Sequence, residues 1–241
     1  MRRFAVPFLG LALIAPTQSQ SQPEAKPATK PLKAPPIVTP GGAFSVPPPS
    51  DSTVLFDGGP LSNWTTRDGK PATWTVAEHT MTVTAKSGDI MTKDSFGDCQ
   101  IHIEFMTPIE TTGDGQDRGN SGVYIHGRYE VQVLDSYKSE TYPDGQCGAI
   151  YKQHVPLVNA CRPQGEWQTY DIIFRVPKFA GKKIANAVVT VIHNGVLIHD
   201  HAEITGPTGG AVGQDEKPTG PILLQEHGHE VKYRNVWVRK I

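Results

Sequence analysis

The sequence predicts an all-β sandwich or jelly roll over residues 52–241, and three observations predict it. Period-two alternation of apolar and polar residues recurs along the stretch, as in half-buried strands. Gly and Pro turns separate the alternating runs, without the βα rhythm of a parallel sheet. No window of ten or more residues holds a clear helical period. At 190 residues the stretch lies within the size range of one β-sandwich.

Five runs carry the alternation, and residues 80–85 come first. In 100–107, Ile101, Ile103 and Phe105 point one way and His102 and Glu104 the other. In 129–134, Tyr129, Val131 and Val133 share one face and Glu130 and Gln132 the opposite one. In 168–176, Tyr170, Ile172, Phe174 and Val176 alternate against Thr169, Asp171 and Arg175. Residues 187–193 run into His193-Asn194-Gly195-Val196, where Asn-Gly suits the positive φ angles of a type I′ hairpin turn. No internal repeat is visible.

Two segments of different character precede the domain. Residues 1–21 read as a secretory signal peptide. Met1-Arg2-Arg3 is a short positive region, and residues 4–15 are apolar, interrupted by Pro7 and too short to span a bilayer. Small residues from Ala15 to Ser19 offer a cleavage site, and no Cys follows to carry a lipid anchor. Residues 22–51 read as a Pro-rich disordered linker. Pro every few residues prevents a helix or a paired strand and favours extended, polyproline-like backbone. The alternative use of such a stretch is as a ligand for a cell wall or a partner. The expected location is outside the cytoplasm, periplasmic or extracellular.

Charge and composition exclude several classes. Lys plus Arg is 23 against 24 Asp plus Glu, a net charge of −1, which lacks the basic footprint of a nucleic-acid binder. No apolar run reaches the roughly 18 residues of a membrane span. Hydrophobic residues are 37% of the chain, a value lowered by the Pro-rich N-terminal segment, so the remainder can still bury a core. The three cysteines, Cys99, Cys147 and Cys161, lack zinc-site spacing. Export permits a disulfide, and a local Cys147–Cys161 bridge is geometrically open, as are three free thiols. Two His-x-His pairs, His199/His201 and His227/His229, would each share one strand face and could grip a metal, although histidines at loop tips are commoner without one. No metal or other cofactor is expected.

Chemistry concentrates in residues 118–135. Gly119, Gly122 and Gly127 allow tight turns and close approach of backbone to a ligand. Arg128, Glu130 and Gln132 form a charged or amide-bearing strand face behind which Tyr129, Val131 and Val133 enter the core. Asp135 breaks the parity, and one β-bulge would return it to the face of Glu130, setting two carboxylates and an amide in a row. Two carboxylates of different pKa can act as acid and base. The competing reading is the solvated outer face of an ordinary strand. Near the C-terminus, Gln225 and His227 follow an apolar run, and Arg234 and Asn235 interrupt an aromatic-rich final strand. Trp64, Trp74, Trp167, Trp237, Tyr124 and Tyr151 are candidates to stack on sugar rings, although most tryptophans of a sandwich are core.

These residues occur in an ordered set of motifs. Leu55-Phe56-Asp57-Gly58 precedes Leu61-Ser62-Asn63-Trp64. Gly119-Asn120-Ser121-Gly122-Val123 follows, then Tyr129-Glu130-Val131-Gln132-Val133-Leu134-Asp135, Gly148-Ala149-Ile150-Tyr151 and Gly165-Glu166-Trp167. Gly220-Pro221-Ile222, Leu224-Gln225-Glu226-His227-Gly228 and Arg234-Asn235-Val236 close the series. In this order they resemble the 3-keto-disaccharide hydrolases, a family of secreted bacterial domains, across residues 52–241. His126 departs from the pattern, because many members carry Arg there. The resemblance implies a concanavalin A-like jelly roll of two antiparallel sheets, related to laminarinase-type glycoside hydrolases. Their E-x-D-x-x-E strand corresponds to Glu130-x-Gln132-x-x-Asp135, without the central carboxylate. An ordinary retaining mechanism needs two carboxyls roughly 5–5.5 Å apart, and this loss argues against it.

The resemblance implies instead a saccharide already oxidised at C3, whose ketone acidifies C2–H so that the C1 substituent leaves by elimination and water adds. It implies Glu130 or His227 as base and Asp135 as proton donor or orienter. Asn120, Gln132 and Gln225 would bind hydroxyls, with Ser121, His126 and Tyr151 as further substrate contacts, and Arg128 would stabilise enolate charge. The partner is a small saccharide. Two other readings stand beside this one, a carbohydrate-binding jelly roll without chemistry and a structural envelope protein lacking a deep polar pocket.

Overall fold

The structure, a computed structural model, describes residue 1 and residues 31–42, 45–109 and 112–241. Met1 apart, the leader read over 1–21 lies outside the described residues, as does the linker up to residue 30. The chain divides into the units Met1–Pro31 and Leu32–Ile241, and all strands belong to the second. In chain order these are β1 (Thr53–Phe56), β2 (Trp64–Thr66), β3 (Thr75–Ala77), β4 (Thr80–Thr82), β5 (Ile90–Thr92), β6 (Cys99–Met106), β7 (Ser121–Ile125) and β8 (Tyr129–Val133). They continue with β9 (Gln168–Arg175), β10 (Lys178–Ala180), β11 (Lys182–Ala185), β12 (Ala187–His193), β13 (Val196–Ile204), β14 (Leu223–Leu224) and β15 (Lys232–Lys240). Among the described residues the only helix is a single 3₁₀ turn, Pro143–Gly145, and no helix is long and apolar enough to cross a membrane.

The predicted sandwich of two antiparallel sheets is present. An eight-stranded sheet has the order β13-β12-β9-β6-β15-β4-β3, with β1 also on β15, and a five-stranded sheet has the order β2-β5-β14-β7-β8. Strand parity fills the space between them. Ile101, Ile103, Phe105, Tyr170, Ile172 and Phe174 from the large sheet bury against Val123, Ile125, Val131 and Val133 from the small one. Asn194 and Gly195 take φ of 52° and 79° in the β12–β13 turn, as their sequence predicts. The β3–β4 hairpin turns through Glu78 and His79 with positive φ as well, although neither residue type signals it.

Two expectations about parity change. The β7–β8 register runs unshifted from Ser121↔Val133 to Ile125↔Tyr129, so no bulge brings Asp135 beside Glu130. Instead Asp135 lies beyond the strand and turns to Arg118. His199 and His201 do not share a face, because the β12–β13 pairing shifts register and His201 takes φ of 48°. Buried His199 donates through Nε2 to Gly148 O, while exposed His201 pairs with Asp200. The three cysteines are free, buried thiols. Cys147, Cys161 and His193 bring their ligand atoms within 4.8 Å of one another, sealed in the core.

The outer face of the large sheet is polar and covered. His102, Glu104 and Asp171 project there, with His102 Nδ1 2.7 Å from Asp171. Burial alone would raise the Glu104 pKa. Hydrogen bonds from His102, Asn235, Ser45 and Arg234 outweigh it and hold the carboxyl at about 2. Arg234, itself stacked on Trp167, donates to Glu104 at 2.6 Å. Asn235 and Trp237 donate to Val46 O at 2.9 and 3.2 Å. Upstream, Val38 N donates to Asn159 O and Asn159 N to Pro36 O, each at 2.9 Å. Residues 32–42 and 45–51, within the stretch read as a linker, thus lie in the compact unit. Their extended backbone leaves carbonyls free for donors of the sheet.

Candidate active site

The small sheet carries the candidate site on the face turned away from the core. β7 and β8 place Tyr124 opposite Glu130 and Gly122 opposite Gln132. A Cβ at Gly122 would stand 2.5 Å from Glu130 Oε1, so glycine there opens the space the carboxyl occupies. Loops clamp the free edge of β8. Glu130 N donates to Thr208 Oγ1 at 3.0 Å, Tyr151 N to Glu130 O at 3.2 Å, and Gln132 N to Ala149 O at 3.0 Å.

These elements enclose a polar cavity of about 270 Å³. Glu130, Gln132, Tyr124 and Asn120 form its floor and wall, Gln225 and His227 arrive after β14, and Gln116, Tyr151, Gly209 and Gly210 complete the rim. Tyr124 donates to Gly209 O at 2.8 Å and accepts from Gln225 Nε2 at 3.1 Å. Gln132 Nε2 donates to Gln116 Oε1 at 3.1 Å, and Gln116 Nε2 to Gly145 O at 2.8 Å. The remaining amide oxygens, Gln132 Oε1 and Gln225 Oε1, are buried acceptors with no protein partner. Tyr151 shares a hydroxyl hydrogen bond of 2.7 Å with Tyr142.

Glu130 is 3% exposed, and burial pushes its carboxyl up to about 8. The Tyr124 hydroxyl pulls it back and Asp89 adds to the rise. Burial also raises the Tyr124 phenol well above its usual range.

Of the residues singled out from sequence, the cavity gathers Glu130, His227, Asn120, Gln132, Tyr124, Tyr151 and Gln225. Four others lie elsewhere. Asp135 is 2% exposed and binds Arg118 Nη2 at 2.5 Å and Gln164 Nε2 at 2.7 Å. Arg128 donates to Asp215 and to His126 O, with its charge matched away from the cavity. His126 packs edge-on against Phe174, and burial lowers its pKa to about 4. Ser121 faces the core, donating to Gln225 O at 2.6 Å beside Tyr233. Trp64, Trp74 and Trp237 are buried and line no part of the cavity. Sequence reading missed Gln116 and the Gly209–Gly210 turn. Neither sits on an alternating strand, and only the Gly-Gly pair carries a local signal, that of close backbone approach.

The sequence matches the 3-keto-alpha-glucoside-1,2-lyase-like domain family over residues 51–239. The chain belongs to that family. A crystal structure described as a "putative glycosyl hydrolase" from Parabacteroides distasonis ATCC 8503 is 45% identical, with a TM-score of 0.78, and the match covers 89% of this chain and 95% of that one. Two further structures from the same organism, described in the same words, are 19% and 23% identical with TM-scores of 0.60 and 0.53. Each match covers 79% of this chain and 94% or 99% of the other, and these two support the fold. A search among curated proteins found no match. Family membership and the two-sheet sandwich together make this a carbohydrate-related jelly-roll domain, similar to structures described as putative glycosyl hydrolases.

Proposed function

We propose that the protein cleaves 3-keto-glycosides by removing the C2 proton and eliminating the C1 substituent, with Glu130 as the base. The observation that carries this reading is a buried carboxyl with a pKa near 8 inside a polar cavity sized for one sugar ring. A group that prefers its neutral form accepts a proton readily once ionised, and a base poised near the working pH is the efficient choice. The two partnerless amide oxygens, Gln132 Oε1 and Gln225 Oε1, suit sugar hydroxyl donors and would hold C2 toward Glu130.

The step balances as follows. Glu130 takes the C2 proton, and the C2–H electron pair passes through the enolate of the C3 ketone into a C1=C2 double bond as the C1–O bond breaks. The leaving oxygen keeps that bonding pair and takes a proton, for which His227 in the cavity lining is a donor candidate. Release of the enone makes the reaction a lyase. Addition of water, hydroxyl to C1 and the Glu130 proton to C2, makes it a net hydrolysis. Asp135 has no step here, since its carboxylate is held by Arg118 outside the cavity. The same proposal places the protein outside the cytoplasm, on the basic start and short apolar run of residues 1–15.

The test is turnover of a 3-keto-glucoside beside its plain counterpart. The proposal expects the keto substrate to react at least a hundredfold faster and to exchange its C2 proton with solvent deuterium. Equal rates on both would favour ordinary glycosidase chemistry. Saturable binding of both with no product would leave a carbohydrate-binding domain.

A further inference from the structure

A second cluster of reactive side chains lies in the core, outside the candidate cavity. Cys147 follows the 3₁₀ turn, Cys161 precedes β9 and His193 ends β12, so three separate segments converge. Both thiol sulfurs and one imidazole nitrogen lie within 4.8 Å of one another, and all three residues are buried. Hydrogen bonds fix what each can offer. Gln168 Oε1 accepts from Arg162 N and from Asn194 Nδ2, each at 3.1 Å, which identifies that atom as the amide oxygen. His193 Nε2, 3.0 Å away, therefore donates to it. A buried imidazole whose one proton is so placed is neutral and keeps its lone pair on Nδ1. An acceptor behind the protonated nitrogen is how metal-ligating histidines are oriented.

The cysteines are held as well. Cys147 N donates to Ser136 Oγ at 2.9 Å and Cys161 N to Asn159 Oδ1 at 3.0 Å. The Tyr170 hydroxyl is 3.1 Å from Cys147 Sγ and donates to Gln132 O at 2.7 Å. It can turn that proton to a thiolate, because Gln132 O also receives Gly148 N at 2.9 Å. Arg162, next to Cys161 in the chain, brings a charge without a counterpart. It is 9% exposed, its Nε has no partner and its Nη2 donates to the carbonyl of Gly41. Among the described residues no carboxylate pairs with it, and its field reaches His193.

We propose that Cys147, Cys161 and His193 form a buried site for one copper(I) ion. Two thiolates and an imidazole are a soft donor set, suited to copper(I) or zinc. Two observations decide between them. Structural zinc takes four ligands, whereas copper(I) accepts three, and among the described residues no fourth Cys, His, Asp or Glu joins the cluster. Each thiol releases its proton on binding, so copper(I) with two thiolates carries one negative charge that offsets Arg162. Zinc would give a neutral centre and leave Arg162 unmatched. The ion arrives as copper(I), so no electron is transferred. It loads as the core closes and ties residues 145–151, which clamp β8, to β9 and β12. No step of the proposed elimination passes through it, so the two readings stand or fall separately.

The test refolds the full chain anaerobically under reductant with copper(I), with zinc or with neither. Excess metal is then removed with a chromophoric copper(I) chelator. Elemental analysis should find one copper per chain, X-ray absorption should show two sulfurs and one nitrogen around it, and the melting temperature should rise. Cys147→Ala should weaken copper retention at least about a hundredfold and Gln168→Leu about ten- to a hundredfold, whereas Cys99→Ala, outside the cluster, should keep it. X-ray absorption of the wild-type chain tests the ligand set where a variant fails to fold. Wild type that holds no more copper than Cys147→Ala, or that prefers zinc, overturns the proposal. A Cys147–Cys161 disulfide in protein exported from copper-supplied cells, seen as a loss of two hydrogens in mass, overturns it as well.

Discussion

Replacing Glu130 with Gln should make the protein inactive and, as pH rises from 5 to 7, increasingly stable relative to the wild type. The buried carboxyl holds its proton up to about pH 8, whereas in the unfolded chain it ionises at its ordinary 4.5. Because the folded pKa is the higher one, the folded state binds more protons between these values. Stability is greatest below pH 4.5 and is lost as pH rises through 8. Proton linkage puts the penalty at about 1 kcal/mol at pH 5 and about 3 kcal/mol at pH 7, from 1.36 kcal/mol per pH unit. Gln carries no such dependence, and whatever its amide costs in packing is the same at both pH values. The stability gap between variant and wild type should therefore move by about 2 kcal/mol in favour of Gln from pH 5 to pH 7. For a domain of this size that is about 4–8 °C in melting temperature. The assay is a melting series in constant ionic strength from pH 5 to 8, with turnover on the 3-keto substrate alongside. Loss of the base should cost about 10²–10⁴-fold in rate. A gap that does not change with pH would show that Glu130 ionises normally in the fold, and the argument for it as a poised base would collapse.

Other outcomes follow from the same geometry. The kcat/KM of the wild type should rise about tenfold per pH unit below 8 and level off above it, as Glu130 ionises; a flat profile would remove it as base. Gly122→Ala should lower kcat by at least about tenfold with the sheet intact by circular dichroism, because its methyl claims the place of Glu130 Oε1. Arg118→Ala should destabilise the fold by about 3 kcal/mol in urea unfolding, more than Asp135→Asn, since it strips the main countercharge from a buried carboxylate. A chain beginning at Asp51 should melt several degrees lower than one beginning at Leu32, having lost the bonds to Asn159, Asn235 and Trp237.

Strand parity made the fold legible, because one buried face per strand leaves a period of two that any reader can count. It also separated Val131 and Val133 from Glu130 and Gln132, and so found the floor of the cavity. What parity cannot see is where a strand stops. Asp135 sits two residues past β8, and its direction is set by Arg118, seventeen positions away, not by the pleat. Arg128 and His126 fell outside the cavity for a related reason. They belong to the β7–β8 turn, where His126 takes φ of 56° and alternation ends. Gln116 and the Gly209–Gly210 turn reach the site across long stretches of chain, and nothing local marks their destination. The alternation put His102 and Glu104 on the face opposite the core, but it could not show that this face is itself buried under the arm.

That arm changes what the outer face can meet. Ser45 and Val46 are joined to β1 by only a few residues, so they compete for Glu104, Asn235 and Trp237 as a tethered ligand, at an effective concentration in the millimolar range for a short leash. A free peptide or sugar of ordinary micromolar abundance would have to displace a competitor that never diffuses away. The face is thereby closed by the chain's own connectivity, without a covalent lock. The compact unit is longer than the unit the family match outlines, since one begins at Leu32 and the other at residue 51. A protein trimmed to the shorter outline would present a bare tryptophan edge beside an uncovered carboxylate, a surface on which other chains could settle.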